Sequence, residues 1–348
     1  MQALRTGVIF MRLYLGIDGG QTETRSILAT ENGQVLGIGR SGPCQHPNRD
    51  TSRESSRESL FSAVRAVLET SGMSESSEID SAFLGITGVT DPSTQAAHFY
   101  RSALADRFRV SNLTVDIDAR SALAGAIPFQ PGIVVISGTG SVGFGVDSEG
   151  NTFRTGGWGY LIGDPGSGFE IGRQALGAVL HCHERGGPHT RLTEMILRNL
   201  EIDQVGLIPQ SVHLKENPKV YIAGISRLVT QAAEQGDAVS LEILATAGRQ
   251  LASLAVAILE KLHWSDQKIP VSGVGGVLRT SAQLWEQFCD GVVQLEPRAR
   301  VDVPELPPLA GALLLAYQQD GLPWTTGLVK KLQEQQSIKE FLSDEIGN

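Results

Sequence analysis

The chain has 348 residues, 41% apolar and 19% charged, which fits a folded protein of about two domains and excludes a mainly disordered chain. Acidic residues outnumber basic ones by 38 to 29, and the net charge of −9 argues against nucleic acid as a partner. No apolar run reaches the length of a membrane span, and no export signal opens the chain. The cysteines Cys44, Cys182 and Cys289 form no closely spaced pair. We therefore expect a cytoplasmic protein with reduced thiols and no membrane partner.

Three short strand patterns open the chain, and the turn dipeptide Asn32-Gly33 joins the last two, which predicts an antiparallel meander. Met11 directly precedes the first strand pattern and is a candidate start of translation. Strands and helices alternate after the meander, which favours parallel additions to the same sheet. The predicted elements of this half are strands Leu13–Asp18, Thr24–Thr30 and Val35–Arg40, helix Ser55–Thr70, strand Ser81–Ile86, helix Gln95–Arg107, strand Leu113–Asp118 and helix Ala119–Ala126.

The opening pattern of three strands joined by glycine-containing turns recurs from Gly132, and we interpret it as an internal duplication. The rest of the second half is mostly helical, and a late helix begins after Pro307-Pro308. The predicted elements are strands Gly132–Ser137, Val142–Val146 and Asn151–Gly156, helices Phe169–His181, Thr190–Asn199, Lys219–Gln235 and Asp237–Leu262, strand Ile269–Ser272, and an amphipathic helix within Gly327–Asn348.

Three predicted strands end in glycine-rich turns: Asp18-Gly19-Gly20-Gln21-Thr22, Ser137-Gly138-Thr139-Gly140-Ser141 and Ser272-Gly273-Val274-Gly275-Gly276. Glycine lets a phosphate approach main-chain N–H groups, and Thr22 and Thr139 add hydroxyl donors. A single turn of this kind is better explained by hairpin geometry alone. Three turns, two of them at matched positions of the duplicated unit, favour a nucleotide held between two lobes.

Two other nucleotide-binding motifs are excluded. The spacing Gly138-x-Gly140-x-x-Gly143 matches the dinucleotide fingerprint, but a strand pattern follows it, and Trp158 stands where an acid would bind ribose. The chain also contains no Gly-x-x-x-x-Gly-Lys-Ser/Thr sequence. The fold is therefore neither a Rossmann domain nor a P-loop domain.

Carboxylates end two strands of the first half. Asp18 stands beside a glycine turn, where it is a candidate ligand of Mg²⁺ through water. Asp118 ends the last strand, where a carboxylate is a candidate general base for an attacking hydroxyl or an N-cap of the next helix. Asp116, two residues earlier, points to the same face of the sheet as Asp118 if strand alternation persists. It is therefore the competing candidate base.

The densest glycine stretch runs from Gly156 to Gly168 and contains Trp158, Tyr160 and Asp164. Aromatic rings give an apolar platform with polar edges, as a sugar ring requires, and a carboxylate binds two adjacent hydroxyls. A stiffly packed loop between lobes is the structural alternative.

These segments resemble the sugar-kinase/Hsp70/actin superfamily and, within it, the BadF/BadG/BcrA/BcrD-type ATPase family that includes N-acetylglucosamine kinases. Ile136-Ser137-Gly138-Thr139-Gly140-Ser141 and the glycine stretch carry the resemblance most specifically. It implies an α/β fold of two ribonuclease H-like lobes, each a mixed five-stranded sheet flanked by helices, with a cleft between them. The implied lobes are 11–127 and 128–348, with a helical insertion at about 164–265 and a late helix, 307–320, that is a candidate to pack back on the first lobe.

The resemblance also implies roles for individual positions. It implies that Gly19, Gly20, Thr22, Thr139 and Gly140 bind the phosphates of ATP, that Gly275 and Gly276 approach the adenosine, and that Asp18 serves Mg²⁺. It implies that Asp118 is the base for the sugar 6-hydroxyl and that Ser141, Val142, Gly157, Trp158, Gly159, Tyr160 and Asp164 line the sugar pocket. His46 stands where the family usually has a sugar-contacting Asn, so the identity of the sugar is open.

We therefore expect an ATP- and Mg²⁺-dependent kinase that phosphorylates an amino sugar, first of all N-acetylglucosamine, at the 6-hydroxyl, and that forms a homodimer. Glucosamine or another hexose is the alternative acceptor. A nucleotide-gated ATPase or regulator without phosphoryl transfer is the alternative from another class.

Overall fold

The structure is a computed structural model that describes residues 11–44, 50–265 and 268–340. His46 and residues 1–10 lie outside the described residues, as does the end of the predicted tail helix. The described residues divide into two units: one holds those up to Phe129 and those from Glu305 to Glu340, and the other holds those between Gln130 and Pro304.

The elements are numbered in chain order. The strands are β1 (Leu13–Gly19), β2 (Thr24–Thr30), β3 (Val35–Ser41), β4 (Ile79–Ile86), β5 (Val110–Ile117), β6 (Gly132–Ser137), β7 (Ser141–Val146), β8 (Thr152–Gly156), β9 (Ile269–Val274) and β10 (Ala299–Asp302). The helices are α1 (Asp50–Thr70), α2 (Gln95–Arg107), α3 (Asp118–Ala126), α4 (Gly168–Arg185), α5 (Leu192–Leu200), α6 (Ile208–His213), α7 (Pro218–Gly224), α8 (Ser226–Glu234), α9 (Ala238–Leu259), α10 (Gly276–Thr280), α11 (Ala282–Leu295), α12 (Pro308–Gln319) and α13 (Thr326–Glu334).

Each unit is built on a five-stranded sheet, and the two sheets share one strand order. The first is β3-β2-β1-β4-β5 and the second, from its other edge, is β8-β7-β6-β9-β10. In each sheet the first three strands in sequence pair antiparallel and the last two are added parallel. The unit of three antiparallel strands thus occurs in both sheets, and the predicted pair of mixed five-stranded sheets is confirmed.

Helix α12 belongs to the first unit. It corresponds to the late helix, 307–320, for which the sequence leaves packing on the first lobe open. Leu309, Leu313 and Tyr317 of α12 are buried against Tyr14 and Ile27 of the sheet. Tyr317 also donates its hydroxyl to the carbonyl of Thr30 at 2.7 Å. The apolar face of α12 is therefore buried against strands near the start of the chain.

Close helix packing in the first unit depends on glycine. A Cβ on Gly16 of β1 would lie 2.6 Å from the backbone nitrogen of Leu313, and a Cβ on Gly311 of α12 would collide with the carbonyl of Ser121 in α3. Helix α12 therefore lies directly against both β1 and α3, and α3 is the helix that begins with Asp118.

The long helix α9 forms the centre of the second unit. Its buried residues, among them Leu244, Leu251 and Ile258, share one core with Leu284 and Phe288 of α11. By length and composition alone α9 would also pass as a membrane span, and it is the one helix of the described residues that does. The predicted helix 219–235 is two helices, α7 and α8. They are separated at Ile225, whose N–H donates to the carbonyl of Ile222, three residues back, at 3.1 Å.

Candidate active site

Three strands of the first sheet end in register at one edge. Asp18 of β1 is paired with Gly85 of β4, and Gly85 is paired with Asp116 of β5. Because neighbouring strands lie about 4.8 Å apart, the Cα atoms of Asp18 and Asp116 are about 10 Å apart. A Cβ on Gly85 would collide with the hydroxyl of Ser121, so this position between the two carboxylates requires glycine.

The turn after β1 is held by main-chain hydrogen bonds. The Gly20 N–H donates to the carbonyl of Glu23 at 2.9 Å, and the Gly20 carbonyl accepts from the Cys44 N–H at 3.0 Å. The Gly20 amide is thus used inside the turn, so a phosphate role for this residue rests on the close approach that its missing side chain allows. Thr22 is exposed at the tip of the turn.

Asp118 is the first residue of α3 and follows β5 directly. The N-cap of α3 is Ile117, with no side-chain cap, so the capping alternative for Asp118 is wrong. The carboxylate instead accepts a hydrogen bond from the hydroxyl of Thr87, with 2.6 Å between Thr87 Oγ1 and Asp118 Oδ2. A negative charge in the first turn of a helix is also favoured by the helix dipole. The half-buried carboxylate of Asp118 is therefore held in one orientation at the edge of the sheet.

Asp116 is buried, and both of its carboxylate oxygens have partners. Oδ1 accepts from the backbone N–H of Ile117 at 2.7 Å, and Oδ2 lies 2.5 Å from Nε of Arg120 one turn along α3. Both oxygens of this carboxylate are thus engaged by neighbouring protein groups rather than presented to a substrate hydroxyl. Of the two candidate bases that the sequence leaves open, the geometry favours Asp118.

The other two glycine turns lie side by side in the second unit, because β6 and β9 are paired up to Ile136 and Val274. Gly275 has a φ of +101°, and a Cβ there would collide with the carbonyl of Ser137. The carbonyl of Gly138 accepts from the N–H of Gly168 at 2.8 Å, which joins the start of α4 to the turn after β6. Of the glycines in these two turns, Gly275 is thus needed for a close contact between main chains, whereas Gly140 faces the side chain of Asp164.

The segment from Gly157 to Asp164, called the glycine-rich loop below, packs against the turn after β6. Ser141 donates its hydroxyl to the carbonyl of Pro165 at 2.7 Å, and the Gly157 N–H donates to the Ser141 carbonyl at 2.8 Å. Val142 packs against Gly157. Ser141 and Val142 therefore hold the loop in place, a role that the sequence does not predict for them.

Asp164 is buried at the end of this loop. Its Oδ1 accepts from the N–H of Gly159 at 3.1 Å, and a Cβ on Gly140 would lie 2.7 Å from its Oδ2. Its φ of +60° is in the left-handed region, which few non-glycine residues adopt. The loop thus brings the carboxylate of Asp164 against the glycine turn that contains Thr139.

Two cations that the sequence analysis missed lie on the glycine-rich loop. Nζ of Lys219 in α7 lies 5.2 Å from the ring centre of Tyr160, and the guanidinium of Arg154 in β8 lies 5.6 Å from that of Trp158. Burial raises the pKa of Asp164, while the Gly159 N–H and the two cations oppose the rise. Burial lowers the pKa of Lys219, and the charge of Asp164 opposes that shift. Only spatial proximity reveals these cations, since neither belongs to a glycine motif.

The described residues contain no group of three His, Cys, Asp or Glu side chains that could hold a metal ion, and in them Cys44, Cys182 and Cys289 are free thiols. Mg²⁺ in nucleotide sites is bound by one or two carboxylates and completes its shell with water and phosphate. Asp18, a half-buried carboxylate beside an exposed turn, fits that donor set.

Two sheets of one strand order, with carboxylates at the strand ends of one and glycine turns at those of the other, define the fold of the actin-like ATPases and sugar kinases. The chain belongs to the BadF/BadG/BcrA/BcrD ATPase family, whose profile matches residues 15–316. This confirms the resemblance drawn from the sequence, and membership of an ATPase family implies that the chain uses ATP.

Named relatives cover most of the chain. It is 31% identical over 309 residues to the N-acetylmuramic acid/N-acetylglucosamine kinase of Clostridium acetobutylicum, across 89% of this chain and 99% of that protein. It is 30% identical to the N-acetyl-D-glucosamine kinase of Dictyostelium discoideum, across 87% of this chain and 97% of that protein. The glucosamine kinase of Vibrio cholerae is 26% identical, across 72% of this chain and 82% of that protein.

Solved structures share the fold. A candidate N-acetylglucosamine kinase from Chromobacterium violaceum is 25% identical with a TM-score of 0.69, across 88% of this chain and 99% of that one. A glucokinase of the ROK family from Streptomyces griseus has a TM-score of 0.55 at 20% identity, across 88% and 99%, and shows likeness of fold alone.

Proposed function

We propose that the chain is a cytoplasmic, Mg²⁺-dependent kinase that transfers the γ-phosphoryl group of ATP to the 6-hydroxyl of an amino sugar, first of all N-acetylglucosamine. Family membership and the named relatives support the reaction class. The observation that carries the proposal is the Asp118 carboxylate, set at the edge of the first sheet and oriented by Thr87.

Asp118 acts as the general base. As the sugar oxygen attacks the γ-phosphorus, its O–H bond breaks and the proton passes to the carboxylate of Asp118. The new P–O bond forms while the bond to the β-phosphate oxygen breaks, so the products are the sugar 6-phosphate and ADP. Thr87 fixes the carboxylate before the sugar binds, which removes a reorientation step from the reaction.

The glycine turns receive the nucleotide. Gly19, Gly20, Thr22, Thr139 and Gly140 are the proposed phosphate-binding residues, and Gly275 and Gly276 are the proposed adenosine-binding residues. Asp18 would hold Mg²⁺ through water, and the ion supplies positive charge to the transferring phosphoryl group.

The glycine-rich loop receives the sugar. The rings of Trp158 and Tyr160 provide apolar faces, and both side chains are solvent-exposed in the described structure. The carboxylate of Asp164 accepts hydrogen bonds from sugar hydroxyls, and Gly157 and Gly159 leave room for the ring. His46, the position that departs from the family pattern, lies outside the described residues.

A coupled assay of ADP release tests the proposal with N-acetylglucosamine, glucosamine, glucose and ATP alone. We expect the fastest release with N-acetylglucosamine, together with its 6-phosphate as product. If ADP release is fastest with glucosamine or glucose, the protein is still a sugar kinase but its acceptor is a different sugar. ATP binding with no sugar-stimulated release would contradict the kinase and favour a nucleotide-gated regulator.

A further inference from the structure

Two cations approach the glycine-rich loop from different elements, and this inference rests on the function proposed above. Lys219 projects from α7 onto Tyr160, and Arg154 projects from β8 onto Trp158. Each aromatic ring of the proposed sugar platform therefore has a positive charge beside it, an arrangement stabilised by the negative face of the ring.

Both cations also act on the buried carboxylate of Asp164 at the end of the loop. Lys219 is partly buried, and burial lowers its pKa in spite of Asp164. A bound anion would offset part of the hydration that the lysine loses on burial.

Arg154 gives an independent sign of a missing acceptor. Its Nη2 donates to the carbonyl of Gly157, whereas its Nε is buried and has no hydrogen-bond partner in the part of the chain that the structure describes. Buried polar atoms of native proteins are nearly always bonded, and a guanidinium is suited to carboxylate or phosphate oxygens. The orphaned Nε belongs to the same cation that lies over Trp158.

We propose that Lys219 and Arg154 form a subsite for the carboxylate of an acidic amino sugar, such as the lactyl carboxylate of N-acetylmuramic acid. The subsite lies beside the aromatic rings rather than in a glycine turn, which favours a substituent of the sugar over a phosphate of ATP. Neutral sugars leave it unused. One relative carries the names of both sugars, N-acetylmuramic acid and N-acetylglucosamine, which is consistent with a pocket that has such an optional contact.

The test compares kcat/KM for N-acetylmuramic acid with kcat/KM for N-acetylglucosamine. In Lys219→Met we expect the ratio of acidic to neutral sugar to fall about tenfold to a hundredfold, the loss typical of one charge-assisted hydrogen bond. Lys219→Arg keeps the charge and should keep the ratio within about threefold of wild type. Arg154→Gln should lower the ratio in the same direction.

Lys215→Met is the matched control. Nζ of Lys215 lies 4.7 Å from the ring centre of Tyr221, so this variant also removes a lysine from an aromatic ring, but Lys215 is not among the charges that act on Asp164. We expect it to leave both rates and the ratio unchanged. Thermal unfolding of each variant shows that it is folded.

Three results would overturn the inference. Equal losses with both sugars in Lys219→Met would assign the lysine to ATP phosphates or to the loop itself. A wild-type enzyme that phosphorylates N-acetylglucosamine but not N-acetylmuramic acid would contradict the subsite and leave the proposed function intact. A wild-type protein that phosphorylates neither sugar, nor any other in the panel, would contradict both.

Discussion

The hydroxyl of Thr87 offers the sharpest test of how Asp118 is held. Thr87→Val keeps the shape of the side chain and removes the donor that lies 2.6 Å from Asp118 Oδ2. A hydrogen bond to a charged group contributes about 1.5–3 kcal/mol. If the proton transfer depends on that orientation, kcat falls roughly 10- to 150-fold, because about 1.4 kcal/mol of barrier is a factor of ten. The KM for ATP should change less than about twofold, since the hydroxyl is assigned to Asp118 and not to the nucleotide.

The assay is steady-state ADP release at saturating ATP over a range of N-acetylglucosamine concentrations. Thr87→Ser restores the donor and should recover most of the wild-type kcat. Thr246→Val is the matched control, because Thr246 also donates to a carboxylate, that of Glu242 at 3.1 Å, on an exposed face of α9. A folded Thr87→Val with the wild-type kcat would refute the claim that this hydrogen bond prepares Asp118 for proton transfer.

Two further predictions concern stability. Gly275→Ala places a Cβ against the Ser137 carbonyl at a φ of +101°, so we expect a loss of about 2–4 kcal/mol in chemical denaturation, while Gly177→Ala, in open space within α4, should not destabilise the protein. Asp237 caps α9 by accepting from the Ser240 N–H at 2.9 Å, so Asp237→Ala should cost about 1–2 kcal/mol at neutral pH. Hydrogen bonds outweigh burial and lower the pKa of Asp237, so its contribution is present above pH 3.8, the ordinary value, and is lost as pH falls through the lowered pKa. The difference in unfolding free energy between wild type and variant should therefore be smaller at pH 3 than at pH 7, and a constant difference would count against the ionised cap.

The elements with strong local signals are those that the sequence predicts best. Strand β6 and helix α2 have the predicted bounds because apolar patterning, a glycine turn and the Thr94 cap all lie within the segment itself. Strand β10 was missed, since four residues at the edge of a sheet are too few for a periodic pattern. Helix α11 was missed although Leu284, Phe288 and Val292 carry a helical spacing that marks its buried face.

In the candidate site, too, the features with local sequence signals could be predicted and those that depend on tertiary contacts could not. A carboxylate at the end of a strand is visible in sequence, so Asp18 and Asp118 could be selected, but the choice between Asp116 and Asp118 needed the neighbours of each. Thr87 orients Asp118, and Arg120 pairs with Asp116. The first contact depends on which strands are neighbours in the sheet, and the second on one turn of α3.

The central claim is that Asp118 takes the proton of the sugar hydroxyl, and Asp118→Asn tests it most directly. With N-acetylglucosamine as acceptor, we expect kcat to fall about a hundredfold or more while the affinity for ATP, measured by titration, stays within about threefold. A variant that binds ATP normally and turns over within about tenfold of wild type would contradict the assignment of the base.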